Sequence, residues 1–371
     1  MRLTVRRRCS DFTSYRAARV KSLFNCESGA DFALDADLPI EGWPWRVGVI
    51  VGSSGSGKSS VLADLRPDVA VYEPAWADDR PIVDEIAPEA GFDAVPAALA
   101  AVGLGSVPAW LRPFRVLSLG EQFRAKLARL VAEAPAFAKV DEFTSVVDRQ
   151  IAKVGALAFA KAWRRTAGQV VLATCHRDVL DWLQPCWTFD TDKGEFARGW
   201  VRRRPPIELQ VHATDWRFWP AFEPHHYLKL PRMIAAQCYV GTVDGRPVAH
   251  VAVSTRPGLT EARACRLVVM PEWQGAGVGM RFLNAVCERW RTGRNRFRRR
   301  MPVLFHTSHP GLADALRRDP RWLQVSAMLH GDDKLRSAAS MTRSGESRAR
   351  PCGHGGHFRA VQGFRYYGEA R

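Results

Sequence analysis

No run of about 18 consecutive apolar residues, the minimum for a membrane-crossing helix, occurs in this sequence. The eight cysteines, at positions 9, 26, 175, 186, 238, 265, 287 and 352, include no C-x-x-C pair. Scattered thiols argue against a disulfide framework and for a reducing, cytoplasmic setting. The opening MRLTVRRRCSDF is basic but lacks the apolar stretch of a secretory signal. Acidic residues are scarce in the second half. Residues 1–205 hold 28 Lys+Arg against 25 Asp+Glu, a net +3, whereas residues 206–371 hold 26 against 13, a net +13. So basic a half suggests an anionic partner, with nucleic acid the first candidate. An arginine-rich composition spread over solvated helix faces is the competing explanation. What is present is enough for a globular protein: 371 residues at 46% apolar can build two domains with real cores.

GSSGSGKS (Gly52–Ser59) could be a flexible linker, but its neighbours exclude that. It follows the apolar WRVGVIV and precedes SVLADL, the start of a helix. The spacing fits G-x-x-x-x-G-K-[ST] in its strand–loop–helix context. Gly52, Ser53, Ser54, Gly55, Ser56, Gly57, Lys58, Ser59 and Ser60 are therefore expected to cradle nucleotide phosphates. Lys58 would reach the β/γ-phosphates, and the Ser59 hydroxyl would bind Mg²⁺. Further on, AFAKVDEF ends a strand with Asp141, a second Mg²⁺ candidate, and Glu142, a candidate general base for an attacking water. LSLGEQ (Leu117–Gln122), SVVD (Ser145–Asp148) and His176 after the strand QVVLAT complete an ordered series.

That series resembles the ATP-binding-cassette (ABC) ATPase family over roughly residues 20–195. The resemblance implies a Walker A loop at Gly52–Ser59, a signature at Leu117–Gln122, Walker B with its catalytic glutamate at Asp141–Glu142, a D-loop at Ser145–Asp148 and a switch histidine at His176. It also implies a head-to-tail homodimer. Ser118 and Gly120 of one copy would then bind the γ-phosphate held by the P-loop of the other. Two departures stand out. Leu119 replaces a signature glycine, and no glutamine lies between Ser60 and Glu121 to serve as the family's Q-loop. Glu73 and Asp79 are possible stand-ins. The stretch from Walker A to signature is about 57 residues, short for the family. With the missing Q-loop and the lack of a membrane span, this favours a soluble ATPase over a transporter subunit.

RRRPP (Arg202–Pro206) is the expected domain boundary, giving domains 1–205 and 206–371. Beyond it, CYVGTV and VAHVAVST flank the turn DGRP as a hairpin. A strand ending at Leu267–Met270 leads into Gln274, Gly275, Ala276, Gly277, Val278 and Gly279, then an amphipathic helix. Backbone N–H groups at such a helix start make an anion site. A Rossmann fingerprint would need G-x-G-x-x-G and a distal acid, and neither fits.

Q-x-x-G-x-G after a hairpin and a VVxP strand resembles the GNAT acetyltransferase superfamily over roughly residues 215–370. The resemblance implies that the Gln274–Gly279 loop holds the pyrophosphate of an acyl-CoA such as acetyl-CoA, with Leu267–Met270 along the pantetheine arm. Candidate chemistry elsewhere includes His306 and His309 near a strand end, and a phenol at Tyr366 or Tyr367. Cys352, His354 and His357 form an incomplete metal-ligand set. The arginine-rich Arg289–Arg300, with Trp290 and Phe297 interleaved, suits phosphate contact and base stacking.

The fold class expected is thus α/β: a P-loop NTPase (ABC ATPase) domain followed by a GNAT-like acyltransferase domain. The pairing resembles fused ATPase–acetyltransferase proteins of prokaryotes and their phages. EPHHYLKLP (Glu223–Pro231) and the later SHP also look loosely like the phage Mom type of DNA-modifying enzyme. Three functions compete: an ATP-gated acyltransferase acting on nucleic acid, a regulatory ATPase whose GNAT fold only binds, and the ATPase subunit of a transporter.

Overall fold

The computed structural model describes residues 2–25, 31–91, 93–226, 232–233, 235–330 and 359–368. The chain is mixed α/β. By packing, it divides into two compact units, residues 1–79 with 114–205, and residues 80–113 with 206–371. The sequence reading places one boundary at 205/206; by packing, the excursion 80–113 joins the second unit.

The first unit opens with β1 (Arg2–Arg8), α1 (Tyr15–Phe24) and β2 (Asp31–Asp37), the strands forming an antiparallel pair. Its main sheet comprises β3 (Val47–Val51), β4 (Phe137–Val140), β5 (Gln169–Thr174), β6 (Trp187–Asp190) and β7 (Glu195–Arg198), in the order β4-β5-β3-β6-β7. β3 pairs in parallel with β5 and β6, and β4 in parallel with β5; only β7 is antiparallel. β3 is VGVIV and is buried along its whole length, as an unbroken apolar run in a parallel sheet requires. Around the sheet lie α2 (Lys58–Asp64), α6 (Leu119–Glu133), α7 (Arg149–Trp163) and α8 (Leu180–Leu183). Within β4, Lys139 stands where a strand of this kind expects an apolar residue. Its ammonium is buried and donates to the carbonyls of Ala63, Leu65 and Arg66, at 3.0–3.2 Å, which satisfies the open end of α2.

The second unit contains a seven-stranded sheet in the order β13-β14-β12-β11-β10-β9-β8. The strands are β8 (Gln210–Thr214), β9 (Gln237–Val243), β10 (Arg246–Thr255), β11 (Ala262–Val269), β12 (Val303–Thr307), β13 (Trp322–His330) and β14 (Arg359–Tyr366). The expected hairpin is β9–β10, turning at Asp244 and Gly245, both at positive φ. Every pairing is antiparallel except β11 with β12, which are in register only over Ala262–Ala264 and Val303–Phe305. α10 (Val278–Arg291) packs on one face through Phe282, Leu283, Val286, Cys287 and Trp290. α9 (Trp219–Phe222) contributes to a smaller aromatic cluster. The excursion supplies α3 (Ile82–Glu85), α4 (Ala94–Ala101) and α5 (Val107–Trp110), and α4 packs against α11 (Pro310–Arg318). α4 is AVPAALAA, apolar on nearly every side, so it has to be covered.

Candidate functional site

Four parallel strands of the first unit deliver the ordered motifs to one edge. Gly52 directly follows β3 and Asp141 directly follows β4, while His176 lies two residues past the end of β5 and Asp192 two past the end of β6. The carboxyl edge of such a sheet is where an α/β fold places ligands. Loop geometry after β3 explains its glycines. Gly55 and Gly57 have φ of 79° and 91°, where L-residues are strained. At Gly52, a Cβ would fall 2.1 Å from Thr191 Oγ1. Gly57 caps α2 without a side chain, so the N–H groups of Lys58, Ser59 and Ser60 have no partner within the helix. Lys58 Nζ donates to Ser53 O at 2.5 Å, and Ser56 Oγ donates to the same carbonyl at 2.8 Å. Ser54 lies exposed at the loop tip.

Asp192 is a residue the sequence reading missed. Its carboxylate accepts from Ser53 N–H at 2.9 Å and from Ser53 Oγ at 2.7 Å. Arg177, directly after His176, donates to Asp190 and to Asp192 at 2.5 and 2.8 Å. Hydrogen bonds from Ser53 hold the Asp192 carboxyl below its usual range, and Arg177 does the same for Asp190. The turn after β6 is thereby tied to the Gly52–Ser59 loop. The only signal in the sequence is the acid-rich turn DTD after an apolar strand.

Asp141 Oδ1 accepts from the Glu142 N–H at 2.8 Å, and Glu142 sits at φ 47°. Thr144 is also at positive φ, 74°. Two non-glycine residues in this region within three positions mark a constrained turn of the kind that clusters at functional sites. Ser145 Oγ donates to Glu142 O at 2.8 Å, and Thr144 Oγ1 lies 3.1 Å from His176 Nδ1. Burial, then the nearby Arg149 charge, lowers the His176 pKa, against the opposing pull of Asp178. The imidazole is therefore neutral near pH 7. Asp148 caps α7, accepting from the N–H groups of Gln150 and Ile151. The stand-in Glu73 is paired with Lys126 at 2.9 Å.

Ser118 caps α6 in a reciprocal box: its Oγ accepts from Glu121 N–H, and Glu121 accepts from Ser118 N–H at 2.9 Å. Gly120 approaches α7 so closely that a Cβ would lie 2.9 Å from Ile151 Cδ1. Leu119 beside it is 59% exposed, and Val146 between Ser145 and Asp148 is 56% exposed.

In the second unit, β11 carries a bulge. Arg266 and Leu267 together oppose Val251, with Arg266 at φ 56°. The strand then turns into the Gln274–Gly279 loop. Gly275 and Gly277 have φ of 89° and 78°, and a Cβ on Gly277 would meet no described atom within 4 Å. Gly277 caps α10 without a side chain, which leaves first-turn N–H groups without a partner within the helix. Gly279 allows close packing: a Cβ there would be 3.0 Å from Val269 Cγ2. Val278 is buried, and Ala276 is half-buried against the core. Gln274 does not face outward. Its Nε2 donates to Val269 O and its Oε1 accepts from Gly105 N–H, both at 2.9 Å.

Other candidate groups are taken up by structure. His309 caps α11 through Nδ1, and burial lowers its pKa. Tyr366 is 5% exposed and packs on Trp322, and burial pushes its phenol up to about 12. Trp290 is fully buried, so it is core and unavailable for base stacking; its neighbours Arg291, Arg294, Arg296, Arg298, Arg299 and Arg300 remain exposed. Cys352, His354 and His357 lie outside the described residues, as does much of EPHHYLKLP. Among the described residues no cluster of three or more His, Cys, Asp or Glu is set to hold a metal, and no helix is long and apolar enough to cross a membrane.

Residues 208–310 match the acetyltransferase (GNAT) family. A 67-residue stretch, 18% of the chain, is 40% identical to the cytochrome c biogenesis ATP-binding export protein CcmA of Rhodospirillum rubrum. The chain spans about 28% of the length of that curated relative. Solved structures with a similar chain path include a putative cobalt transport ATP-binding protein (17% identity, 47% of this chain, 74% of that one, TM-score 0.36). A dimeric bacterial ABC transporter cassette is another (15% identity, 43% of this chain, 87% of that one, TM-score 0.34). The chain is thus similar over residues 208–310 to the GNAT acetyltransferases, and over 67 residues to an ATP-binding export protein.

Proposed function

We propose that this protein is an ATP-hydrolysing ABC-type ATPase coupled to a GNAT-like acyltransferase that modifies nucleic acid in the cytoplasm. The observation that carries the first part is the convergence of Gly52–Ser60, Asp141–Glu142 and His176 on one carboxyl edge. The cradle fits a nucleotide: its glycines hold angles other residues resist, and three helix N–H groups lack internal partners. Lys58 would balance phosphate charge, Ser59 and Asp141 would hold Mg²⁺, and Glu142 would take the proton of the attacking water. Mg²⁺ supplies charge neutralisation on the phosphates when bound. His176, neutral and anchored near Thr144, is set to offer a hydrogen bond to the γ-phosphate. The exposed apolar Leu119 and Val146 support a homodimer meeting at signature and D-loop.

Gln274–Gly279 would hold the pyrophosphate of an acyl-CoA through backbone N–H groups, and the exposed arginines after Trp290 would contact nucleic-acid phosphates. The regulatory reading, a GNAT fold that binds without catalysing, gains from one observation: His309 and Tyr366 are both engaged in packing or capping. A transporter subunit gains less. Residues 80–113, between the Gly52–Ser59 loop and Leu117–Gln122, here pack in the second unit. The decisive experiment compares ATP turnover and dimer formation for wild type and Glu142→Gln. The variant should bind ATP, stop hydrolysing it and accumulate as dimer; normal turnover would refute the assignment of the base. Mass spectrometry of nucleosides from cells with and without the protein tests the acceptor.

A further inference from the structure

We propose that segment 80–113 is a clamp on the Gln274–Gly279 loop, and that binding of a phosphorylated acyl carrier there depends on it. The inference rests on the donor reading of that loop. Gln274 joins three pieces of chain: Nε2 holds the end of β11 through Val269 O, its backbone starts the glycine loop, and Oε1 is held by Gly105 N–H. With both ends of its amide engaged, Gln274 orients the loop and does not itself reach a ligand. It is a positioning residue, and so is Gly105.

The presentation of Gly105 is built. Leu104 N–H donates to Leu99 O at 2.8 Å, and Trp110 Nε1–H donates to Leu104 O at 2.7 Å, which fixes the turn between α4 and α5. The absence of a side chain at 105 lets Gln274 approach: a Cβ would lie 2.8 Å from Gln274 Oε1, so the amide would have to shift. A second contact backs the first. Nδ1 of His309 accepts from Leu312 N–H, the Gly105 backbone lies against the ring, and Trp110 packs edge-on at 5.5 Å. A third holds α4 to α11: a Cβ on Gly311 would sit 2.2 Å from Ala100 Cβ. Three separate contacts from one excursion converge on the loop and on the helix beside it. Gly275 and Gly277 give that loop backbone freedom, and the clamp removes it before a ligand arrives, lowering the ordering cost of binding. In sequence the excursion lies between the P-loop and the signature, so the chain that carries the nucleotide motifs also carries the clamp.

The test uses the full chain. Gly105→Pro deletes the N–H donor. Acetyl-CoA binding by calorimetry should weaken about tenfold. Hydrogen–deuterium exchange of peptides covering the loop should rise, while binding of a fluorescent ATP analogue stays unchanged. Gly105→Ala keeps the N–H but displaces Gln274, and should move both readouts less in the same direction. Unchanged loop exchange in both variants overturns the clamp. A wild-type protein that gives no heat with acetyl-CoA overturns the donor reading, and exchange then decides the clamp alone. If Gly105→Pro also loses ATP binding it has unfolded, and Gly105→Ala decides.

Discussion

Replacing Gly57 by alanine should damage nucleotide binding far more than replacing Gly55. Both glycines hold positive φ, 91° and 79°. For an L-residue that angle costs about 1–2 kcal/mol, because Cβ crowds the following carbonyl. At Gly55 a Cβ would meet no described atom within 4 Å, so alanine there should carry the backbone cost alone. Worked into affinity, that is roughly a five- to thirtyfold loss. At Gly57 the Cβ would fall 2.3 Å from Phe32 Cζ and 2.8 Å from Cε1. The first is more than 1 Å inside the ordinary carbon–carbon separation of about 3.5 Å, the second about 0.7 Å inside it. Phe32 packs against the core that holds Leu38 and Ile50, so its ring moves only by disturbing that packing. Overpacking of this kind costs about 1–3 kcal/mol, which brings the total for Gly57→Ala to roughly 2–5 kcal/mol. The expected loss is about one and a half to three and a half decades in ATP affinity.

The assay is titration of a fluorescent ATP analogue into wild type, both single variants, Phe32→Ala, and the double variant Gly57→Ala/Phe32→Ala, with a Tm for each. Removing the ring removes the collision, so the double variant should bind about as well as Gly55→Ala does. Equal losses at the two positions would refute the reasoning, and so would a double variant no better than Gly57→Ala.

Three other perturbations test different parts of the molecule. Nucleic-acid affinity should fall by about three decades between 50 and 200 mM salt if roughly six phosphates are contacted, and charge reversal at Arg294, Arg296 and Arg298–Arg300 should flatten that slope; a flat wild-type response in a binding titration would return these arginines to a solvated face. His250 is fully buried among Trp216, Trp219 and Phe222, and burial lowers its pKa to about 4. The unfolded chain therefore binds the extra proton first, so stability should drop as pH falls from about 6.5 to about 4 and then level off, by roughly 3 kcal/mol; His250→Phe should remove this pH dependence from the urea midpoint, and an unchanged curve would count against it. At Gly277 (φ 78°) any side chain adds about 1–2 kcal/mol of backbone strain, so Gly277→Ala is the control for Gly277→Asp; beyond that control, at an effective dielectric near 20 and about 4 Å the aspartate charge opposes a phosphate by about 4 kcal/mol, so acetyl-CoA binding should fall roughly a further thousandfold in calorimetry, and wild-type affinity would exclude the loop as the phosphate site.

Local order was legible wherever chemistry fixes spacing. The strand and helix around Gly52–Ser59 are readable because glycines at set intervals between an apolar run and a helix start mark a strand–loop–helix, and the structure has β3 and α2 in those places. The D-G turn of β9–β10 is readable for the same reason. What stayed hidden depends on contacts distant in sequence. Trp290 among arginines reads as a stacking platform, yet it lies on the inward face of α10. Lys139 looks out of place in its strand until the α2 carbonyls it caps are seen. Gln274 is read from its motif as a phosphate-loop residue, and nothing in the sequence indicates that Gly105 holds its side chain.

The allegiance of residues 80–113 follows from which contacts close at each end. In the first unit, Trp76 stacks on Phe114 at 4.6 Å, Asp78 pairs with Arg115 at 3.6 Å, and Tyr72 N–H donates to Lys139 O at 2.7 Å. Those contacts join the chain before the excursion to the chain after it, so the first unit closes without the residues between. Within the excursion, Ile82 N–H donates to Arg112 O at 3.0 Å, which closes its own base. Its apolar surface, Val95, Ala98, Leu99 and Leu104, then needs a cover that its own short helices cannot supply. α11 supplies it, with Gly311 set against Ala100 and His309 against Trp110. A fragment cut at 206 would therefore expose the covered side of α11 and leave Gln274 Oε1 without its donor. The piece whose loop geometry matches the intact protein is residues 80–113 together with 206–371, and ligand binding measured on 206–371 alone would report on a loop with one anchor missing.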